Sequence, residues 1–219
     1  NKIAVIGGGY DETIFTRVPK SPAGTVQILY AGKYNRSKGV IWLLKSLMKI
    51  NHHDWHLHMA GSGSGPEYDH CIKLAEKLGP KVTNHGYVSH QMLAELMQKS
   101  HVQVLPSFFE GLPLVLFEGL ASGCRIITTR LTGFSEIFGQ AKKDTIDLIR
   151  LPRLETLDKP YQKDETHLEY VLSKSILNMI AAAKNNPDFD DPQAEKITSH
   201  YTWTRVFERT LSVYKDAIY

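Results

Sequence analysis

Short apolar runs alternate with amphipathic stretches along most of this 219-residue chain. Runs rich in Val, Ile and Leu that end at glycine or polar residues are typical of buried strands. On this basis we predict strands at residues 2–6, 26–31, 55–60, 82–87, 102–105, 125–128 and 147–151.

Apolar residues at helical spacing lie between most of these strands. We predict helices carrying Ile41, Leu44, Leu47 and Met48, then over about 67–78, after the N-cap Ser89, from near Pro113, briefly beyond residue 131, over about 165–184, after Pro192 and from 202 to the end. Alternating strands and helices indicate a parallel sheet covered on both faces. The fold prediction is therefore a single Rossmann-like α/β domain over 1–219, entered through a strand and linker at 1–24 and ending in a helical extension over 165–219.

The stretch over residues 106–124 carries the strongest candidate chemistry. Pro113 suits the first turn of its helix, because the missing N–H would be unpaired there anyway. Glu110 lies in the loop and Glu118 in the helix, with seven residues between them. Free amides from about Leu114 to Leu116, at the positive end of the helix dipole, would form an anion site. Two carboxylates beside an anion site suit a ligand with hydroxyls and phosphates, such as a nucleotide sugar.

A simpler interpretation of these glutamates is that both are solvated. The helix around Glu118 is apolar on nearly all sides, with Leu116, Phe117, Leu120 and Ala121 beside it, so we predict that it is buried. Buried carboxylates are rare unless they are paired or bound to a ligand. The spacing alone leaves both interpretations open.

Two other strand-to-helix turns carry residues that suit a phosphate ligand. Lys33, Arg36 and Lys38 follow the predicted strand at 26–31, at the carboxyl edge where open α/β sheets bind ligands. The alternative for these cations is a solvated basic loop. The glycine-rich turn over residues 61–66 allows a backbone to approach a ligand closely. The P-loop and serine-nucleophile patterns are not met.

Composition excludes several other functions. A net charge of +3, without a basic stripe interleaved with aromatic residues, does not indicate nucleic-acid binding. No apolar run is long enough for a membrane span, and the two cysteines are expected to be reduced thiols. Four histidines, His52, His53, His56 and His58, lack acidic or cysteine partners at ligand spacing, so we predict no metal site.

With these segments placed, the chain closely resembles the C-terminal, donor-binding domain of retaining GT-B glycosyltransferases of the glycosyltransferase 4, or group 1, type. The resemblance covers nearly the whole chain. Its strongest parts are Gly32-Lys33 with Lys38-Gly39, the turn over 61–66, Gly86-Tyr-Val88, and the E-x7-E motif within 106–123. Weaker similarities are Gly9-Tyr-Asp11, Gly133-Phe-Ser-Glu136 and the helix that starts near Trp203.

The resemblance implies a role for each matching residue. Glu110, Lys33 and Lys38 are the implied catalytic residues: the glutamate bonds the donor sugar hydroxyls, and the lysines neutralise the diphosphate leaving group. Glu118 is implied to accept from the ribose hydroxyls. The other implied donor-binding residues are Gly111, Leu112, Pro113 and Leu114 for the sugar and phosphates, Tyr87 and Val88 near the base, and Gly61 and Ser62.

The resemblance also implies the reaction and its partners. The expected donor is a nucleoside-diphosphate sugar, most simply a UDP- or GDP-sugar, with no cofactor and no metal. A saccharide or lipid-linked acceptor would bind through a missing N-terminal domain, so this chain alone is expected to transfer no sugar. The expected setting is polysaccharide, lipopolysaccharide or glycolipid synthesis in the cytoplasm, with peripheral membrane association of the full-length protein left open. A GT-B nucleotide-sugar epimerase and a non-catalytic nucleotide-sugar-binding module are the alternatives.

The sequence departs from the family pattern at two places. The family most often has arginine where this chain has Lys33, and a lysine cannot bond a phosphate bidentately. Arg36 is a nearby candidate to compensate. Between residues 137 and 147, the family's glycine-containing loop is replaced by Phe-Gly-Gln-Ala-Lys-Lys-Asp.

Overall fold

A computed structural model describes residues 3–22 and 24–218 of the chain. Six parallel strands form one sheet in the order β3-β2-β1-β4-β5-β6. The strands are β1 (Val26–Ala31), β2 (Trp55–Ala60), β3 (Val82–Gly86), β4 (Val102–Leu105), β5 (Arg125–Thr129) and β6 (Ile146–Ile149). The central strands β1, β4 and β5 are almost wholly buried, as expected for a parallel sheet with helices on both faces, although they include the buried polar residues Gln103, Arg125 and Thr128.

Eight helices occur in the described residues and cover both faces of the sheet. They are α1 (Val40–Lys49), α2 (Gly65–Leu78), α3 (His90–Lys99), α4 (Leu114–Ala121), α5 (Phe134–Phe138), α6 (Gln162–Asn185), α7 (Pro192–Ser199) and α8 (Trp203–Ile218). Helices α2 and α6 pack against α1, whereas α3 and α7 pack against α4. The predicted Rossmann-like fold with a helical extension is confirmed.

Three local predictions need correction. Residues 3–6 form no strand, because the described chain places no neighbouring strand beside them; Ile3 and Val5 are each 92% exposed. Lys2 lies outside the described residues. Pro113 is the residue before α4 rather than its first helical residue. The third difference is a short antiparallel hairpin, β7 (Leu154–Thr156) with β8 (Lys159–Pro160), which the sequence pattern did not predict.

The segment before β1 is attached to the start of α8. Tyr10 N–H donates to Tyr201 O (2.8 Å), and Trp203 N–H donates to Tyr10 O (3.0 Å). Glu12 accepts hydrogen bonds from the amides of Trp203 and Thr204, so it caps α8. Beyond this junction α8 exposes an apolar stripe of Trp203, Phe207, Leu211 and Tyr214.

Candidate functional site

The candidate site lies at the carboxyl edge of the sheet, beginning with the loop between β1 and α1. Asn35 caps a single 3-10 turn, Arg36–Lys38, by accepting a hydrogen bond from Lys38 N (3.1 Å). Gly39 then adopts a left-handed conformation with φ of 71°, which a side chain would strain. The cap at Asn35 and the turn at Gly39 therefore fix the backbone on both sides of Lys38.

This loop packs directly against the loop that follows β4. A Cβ atom on Gly39 would lie 2.0 Å from Pro106 O, so only glycine allows the two backbones to come this close. Phe108 N–H donates to Ser37 O (2.8 Å), and the ring centroids of Phe108 and of Trp42 in α1 lie 4.7 Å apart. The two loops are held together by backbone contacts, independently of any ligand.

Lys38 and Glu110 meet across this junction. Lys38 Nζ lies 2.7 Å from Glu110 Oε1, and the same oxygen accepts a hydrogen bond from Ser107 Oγ at 2.7 Å. The side chains of Lys38 and Glu110 are 26% and 10% exposed, while Ser107 is fully buried. The sequence analysis predicted the lysine and the glutamate but missed Ser107. Its position three residues before Glu110, inside the same motif, was the available signal.

The loops after β2 and β3 extend the same edge. Gly32 N–H donates to Ala60 O (3.0 Å), Tyr34 N–H to Ser62 O (2.9 Å), and Gly61 N–H to Gly86 O (2.8 Å). A Cβ atom on Gly61 would lie 1.9 Å from Gly32 O. The glycine-rich turn is therefore required for close approach of two backbones.

A pocket of ≈ 500 Å³ opens beside these loops. Its lining residues include Lys33, Ser62 and Glu67. Glu67 Oε2 accepts a hydrogen bond from Arg36 N (3.0 Å), and its other oxygen lies 3.6 Å from Arg36 Nε. The Arg36 side chain is thus paired with Glu67 in this structure, and it is not left free to replace the arginine that the family most often has at the position of Lys33.

Tyr87 and Val88 follow β3 and differ in exposure. Tyr87 is 85% exposed, whereas Val88 is half-buried and packs against the core. Both lie on the edge of the sheet that carries the other candidate residues, because β3 neighbours β2. An exposed tyrosine beside a backbone turn is compatible with stacking on a nucleotide base.

The start of α4 corrects the predicted anion site. Leu114 N–H donates to Leu112 O (3.0 Å), and Leu116 N–H donates to Pro113 O (2.9 Å), so neither amide is free. Pro113 has no N–H to offer. Within the described chain, the amides of Gly111, Leu112 and Val115 have no protein acceptor. Within the predicted run, Val115 therefore keeps an amide without an acceptor among the described residues, and so do Gly111 and Leu112, which were also predicted to bind the donor.

Glu118 lies in the second turn of α4 and is half-buried. Burial in apolar surroundings raises the pKa of Glu118 to about 7. Its carboxylate has no hydrogen bond or ion pair within the residues that the structure describes, so it is not part of the Lys38–Glu110–Ser107 hydrogen-bond network. A half-buried carboxyl group with a raised pKa, at the edge of the sheet where ligands bind, is a candidate ligand-binding group.

A larger pocket, of ≈ 720 Å³, lies between residues 5–7 and helices α5, α7 and α8. Among the predicted site residues it contains only Leu112. The described residues contain no group of three or more His, Cys, Asp or Glu side chains placed to hold a metal ion. None of the helices in residues 3–22 and 24–218 is long and apolar enough to cross a membrane.

Comparisons with known proteins agree on one family. Residues 25–149 match the family model described as "Glycosyl transferases group 1". An uncharacterized glycosyltransferase of Methanocaldococcus jannaschii is 26% identical over 196 residues, which cover 87% of this chain and 45% of that protein. The chain spans about half the length of the curated relatives it matches.

Solved structures share the fold at low sequence identity. Sucrose-phosphate synthase from Thermosynechococcus elongatus matches with a TM-score of 0.72 and 20% identity, covering 97% of this chain and 52% of that chain. The pneumococcal O-GlcNAc transferase GtfA, in complex with UDP and GlcNAc, matches with a TM-score of 0.65 and 14% identity. That match covers 93% of this chain and 38% of GtfA.

Proposed function

This chain belongs to the group 1 glycosyl transferases, and we propose that it is the donor-binding half of a retaining, metal-independent enzyme of that family. The enzyme would transfer a sugar from a nucleoside-diphosphate sugar to an acceptor hydroxyl in polysaccharide, lipopolysaccharide or glycolipid synthesis. The observation that carries the proposal is the Lys38–Glu110 contact at the carboxyl edge of the sheet. It places a cation and a carboxylate together where open α/β sheets bind ligands.

The proposed donor contacts divide between the sugar and the diphosphate. Glu110 accepts hydrogen bonds from sugar hydroxyls, and Lys38 with Lys33 faces the diphosphate. The unpaired amides of Gly111, Leu112 and Val115 add neutral donors for the phosphate and sugar oxygens.

The remaining contacts hold the nucleoside. Glu118, whose carboxylate has no hydrogen-bond partner in the part of the chain that the structure describes, accepts from the ribose hydroxyls, while Tyr87 and Val88 lie beside the base. Ser62 lines the same pocket as Lys33, and Gly61 is the residue before it. The UDP in the GtfA complex supports a nucleoside diphosphate, and a UDP- or GDP-sugar is the donor class that we propose.

These contacts suit the charge that develops when a glycosyl–phosphate bond breaks. Negative charge grows on the leaving diphosphate, and the sugar gains oxocarbenium character. Lys38 and Lys33, with the fixed amides, stabilise the leaving oxygens and need no metal for that purpose. The acceptor hydroxyl attacks from the face that the diphosphate leaves, which retains the anomeric configuration, and the leaving phosphate takes its proton.

The acceptor site is proposed to lie on another domain. This chain corresponds to about half of the length of the curated relatives that it matches. We therefore expect no transfer by the chain alone when it is incubated with a donor. Measurable turnover by the purified chain would contradict that expectation.

Calorimetric titration of UDP, GDP and ADP in the presence of EDTA tests the proposal. One nucleotide should bind, and Glu118→Ala should weaken it by about 2–4 kcal/mol, or 30- to 1,000-fold, because two hydrogen bonds to a carboxylate are lost. Glu76→Ala, on the exposed face of α2, is the matched control and should leave the affinity unchanged. Equal binding by wild type and Glu118→Ala would exclude the role of Glu118, and no binding of any nucleotide would contradict the proposed function.

A further inference from the structure

Glu110 makes its protein contacts through one oxygen only. Lys38 Nζ and Ser107 Oγ both lie 2.7 Å from Oε1. Within the described residues, Oε2 has no hydrogen-bond partner. The carboxylate is therefore oriented from one side, and its second oxygen remains available to a ligand.

Ser107 is more deeply buried than Lys38 or Glu110, and its backbone is hydrogen-bonded. It is fully buried, and its carbonyl accepts a hydrogen bond from Thr129 Oγ1 in β5. The next residue, Phe108, is fixed by the hydrogen bond that its backbone N–H donates to Ser37 O and by the contact of its ring with Trp42. The backbone that carries the Ser107 hydroxyl is therefore hydrogen-bonded both to β5 and to the loop between β1 and α1.

Lys38 is less suited than Ser107 to orient the Glu110 carboxylate when a nucleotide sugar is bound. Its flexible side chain extends from the neighbouring loop, and under the proposed function its ammonium group also faces the diphosphate. Ser107 lies on the same loop as Glu110 and has one hydroxyl proton, which it donates to Oε1. Its contact with Glu110 can persist when Lys38 turns toward the phosphates.

We infer that Ser107 is a positioning residue that sets the orientation of Glu110, and so determines how tightly the site holds the sugar part of a nucleotide sugar without affecting the nucleotide part. This inference rests on the proposed function. According to this inference, a buried serine contributes to the difference in affinity between a nucleotide sugar and the free nucleotide. The E-x7-E motif by itself would attribute that difference to the two glutamates.

The test compares each free nucleotide with its sugar conjugate. UDP, UDP-glucose, UDP-N-acetylglucosamine, GDP and GDP-mannose are titrated into the wild-type chain and into Ser107→Ala. We expect Ser107→Ala to weaken binding of the recognised nucleotide sugar about tenfold, the usual effect of losing a hydrogen bond to a charged group, with less than a twofold change for the free nucleotide. Ser107→Thr, which keeps the hydroxyl, should restore much of the lost discrimination.

Two controls separate positioning from a general loss of structure. Ser122 is also fully buried, and its hydroxyl has no partner in the described chain, so Ser122→Ala should leave both affinities unchanged. In a Glu110→Gln background, Ser107→Ala should cause little further loss of discrimination, because the hydroxyl acts through that carboxylate. This double-mutant comparison still tests the inference if Ser107→Ala alone proves less stable.

The possible outcomes are distinct. If Glu110→Gln changes the ratio of the two affinities and Ser107→Ala does not, the inference is wrong while the proposed function stands. Equal loss of free nucleotide and nucleotide sugar in Ser107→Ala would also overturn it. If neither variant changes the ratio, the proposed role of Glu110 fails, and the inference fails with it.

Discussion

Lys38 Nζ lies 2.7 Å from Glu110 Oε1, so the cation and the carboxylate that we assign to the two sides of the donor's reacting bond neutralise each other in the free protein. The two residues come from different loops and are separated by 72 positions. A diphosphate that binds Lys38 must compete with Glu110 for the ammonium group. The affinities for free nucleotide and nucleotide sugar should therefore respond differently to changes at this pair.

Glu110→Gln should strengthen binding of the free nucleoside diphosphate and weaken binding of its sugar conjugate. Removing the negative charge frees Lys38 for the phosphates, which should raise the affinity for the free nucleotide about two- to fivefold. The sugar hydroxyls lose a charged acceptor at the same time. Titration of both ligands measures the two effects, and Lys38→Met, which should weaken both ligands, is the comparison. Parallel changes in Glu110→Gln would contradict the competition.

The ionisation of Glu118 should lower the stability of the free protein at neutral and alkaline pH. Burial raises the pKa of Glu118 to about 7, so the unfolded chain releases this proton at lower pH than the folded chain does. The contribution of Glu118 is fully present below its unfolded pKa and is lost as pH rises through about 7. Glu118→Gln should then be more stable than wild type by about 1–3 kcal/mol at pH 8, with little difference near pH 4.5. Urea unfolding at the two pH values measures this, and a constant difference would exclude Glu118 as its source.

Nucleotide binding should have the opposite dependence on the ionisation of Glu118. The ribose hydroxyls need an acceptor, and the ionised carboxylate provides acceptors only. Affinity should therefore decrease as pH falls below about 7, the pKa of this group. Titrations between pH 6 and pH 8 would show it, with Glu118→Gln reporting how much of the change comes from the nucleotide's own phosphate. An identical pH profile in both proteins would contradict the assignment.

Gly39 and Gly65 allow backbone strain to be separated from a steric clash. Both have positive φ, 71° and 77°, but a Cβ atom at Gly39 would meet Pro106 O at 2.0 Å, whereas one at Gly65 would meet nothing within 4 Å. Gly65→Ala should cost about 1–2 kcal/mol from the left-handed conformation alone. Gly39→Ala should cost clearly more and should also displace Lys38. Unfolding free energies of the two variants test this, and equal costs would show that the clash relaxes freely.

Local sequence was sufficient for the strands and helices whose apolar patterns are long and regular. The predicted ranges 26–31, 55–60 and 102–105 coincide with β1, β2 and β4, because each is a short run of mostly apolar and mostly buried residues. Residues 3–6 have a similar pattern but no neighbouring strand in the described chain, so the pattern alone was misleading. The β7–β8 hairpin was missed because its short strands are mainly polar.

The candidate site was predicted by residue type more reliably than by contact. Glu110, Lys38 and the glycine-rich turns occupy the expected edge of the sheet. The amides of Leu114 and Leu116 were predicted to be free, yet local turns pair both of them. Such pairing depends on the backbone angles around Pro113, which the sequence pattern does not specify.

By itself, the sequence determined most of the strands and helices and which turns carry charged or glycine residues, because hydrophobic periodicity and backbone preferences act over a few residues. Only the tertiary structure decided that Lys38 and Ser107 both contact Oε1 of Glu110, and that the half-buried carboxylate of Glu118 has no protein hydrogen-bond partner among the described residues. These properties depend on how the β1 and β4 loops approach each other and on how α4 is buried. Both result from packing between segments that lie far apart in the chain.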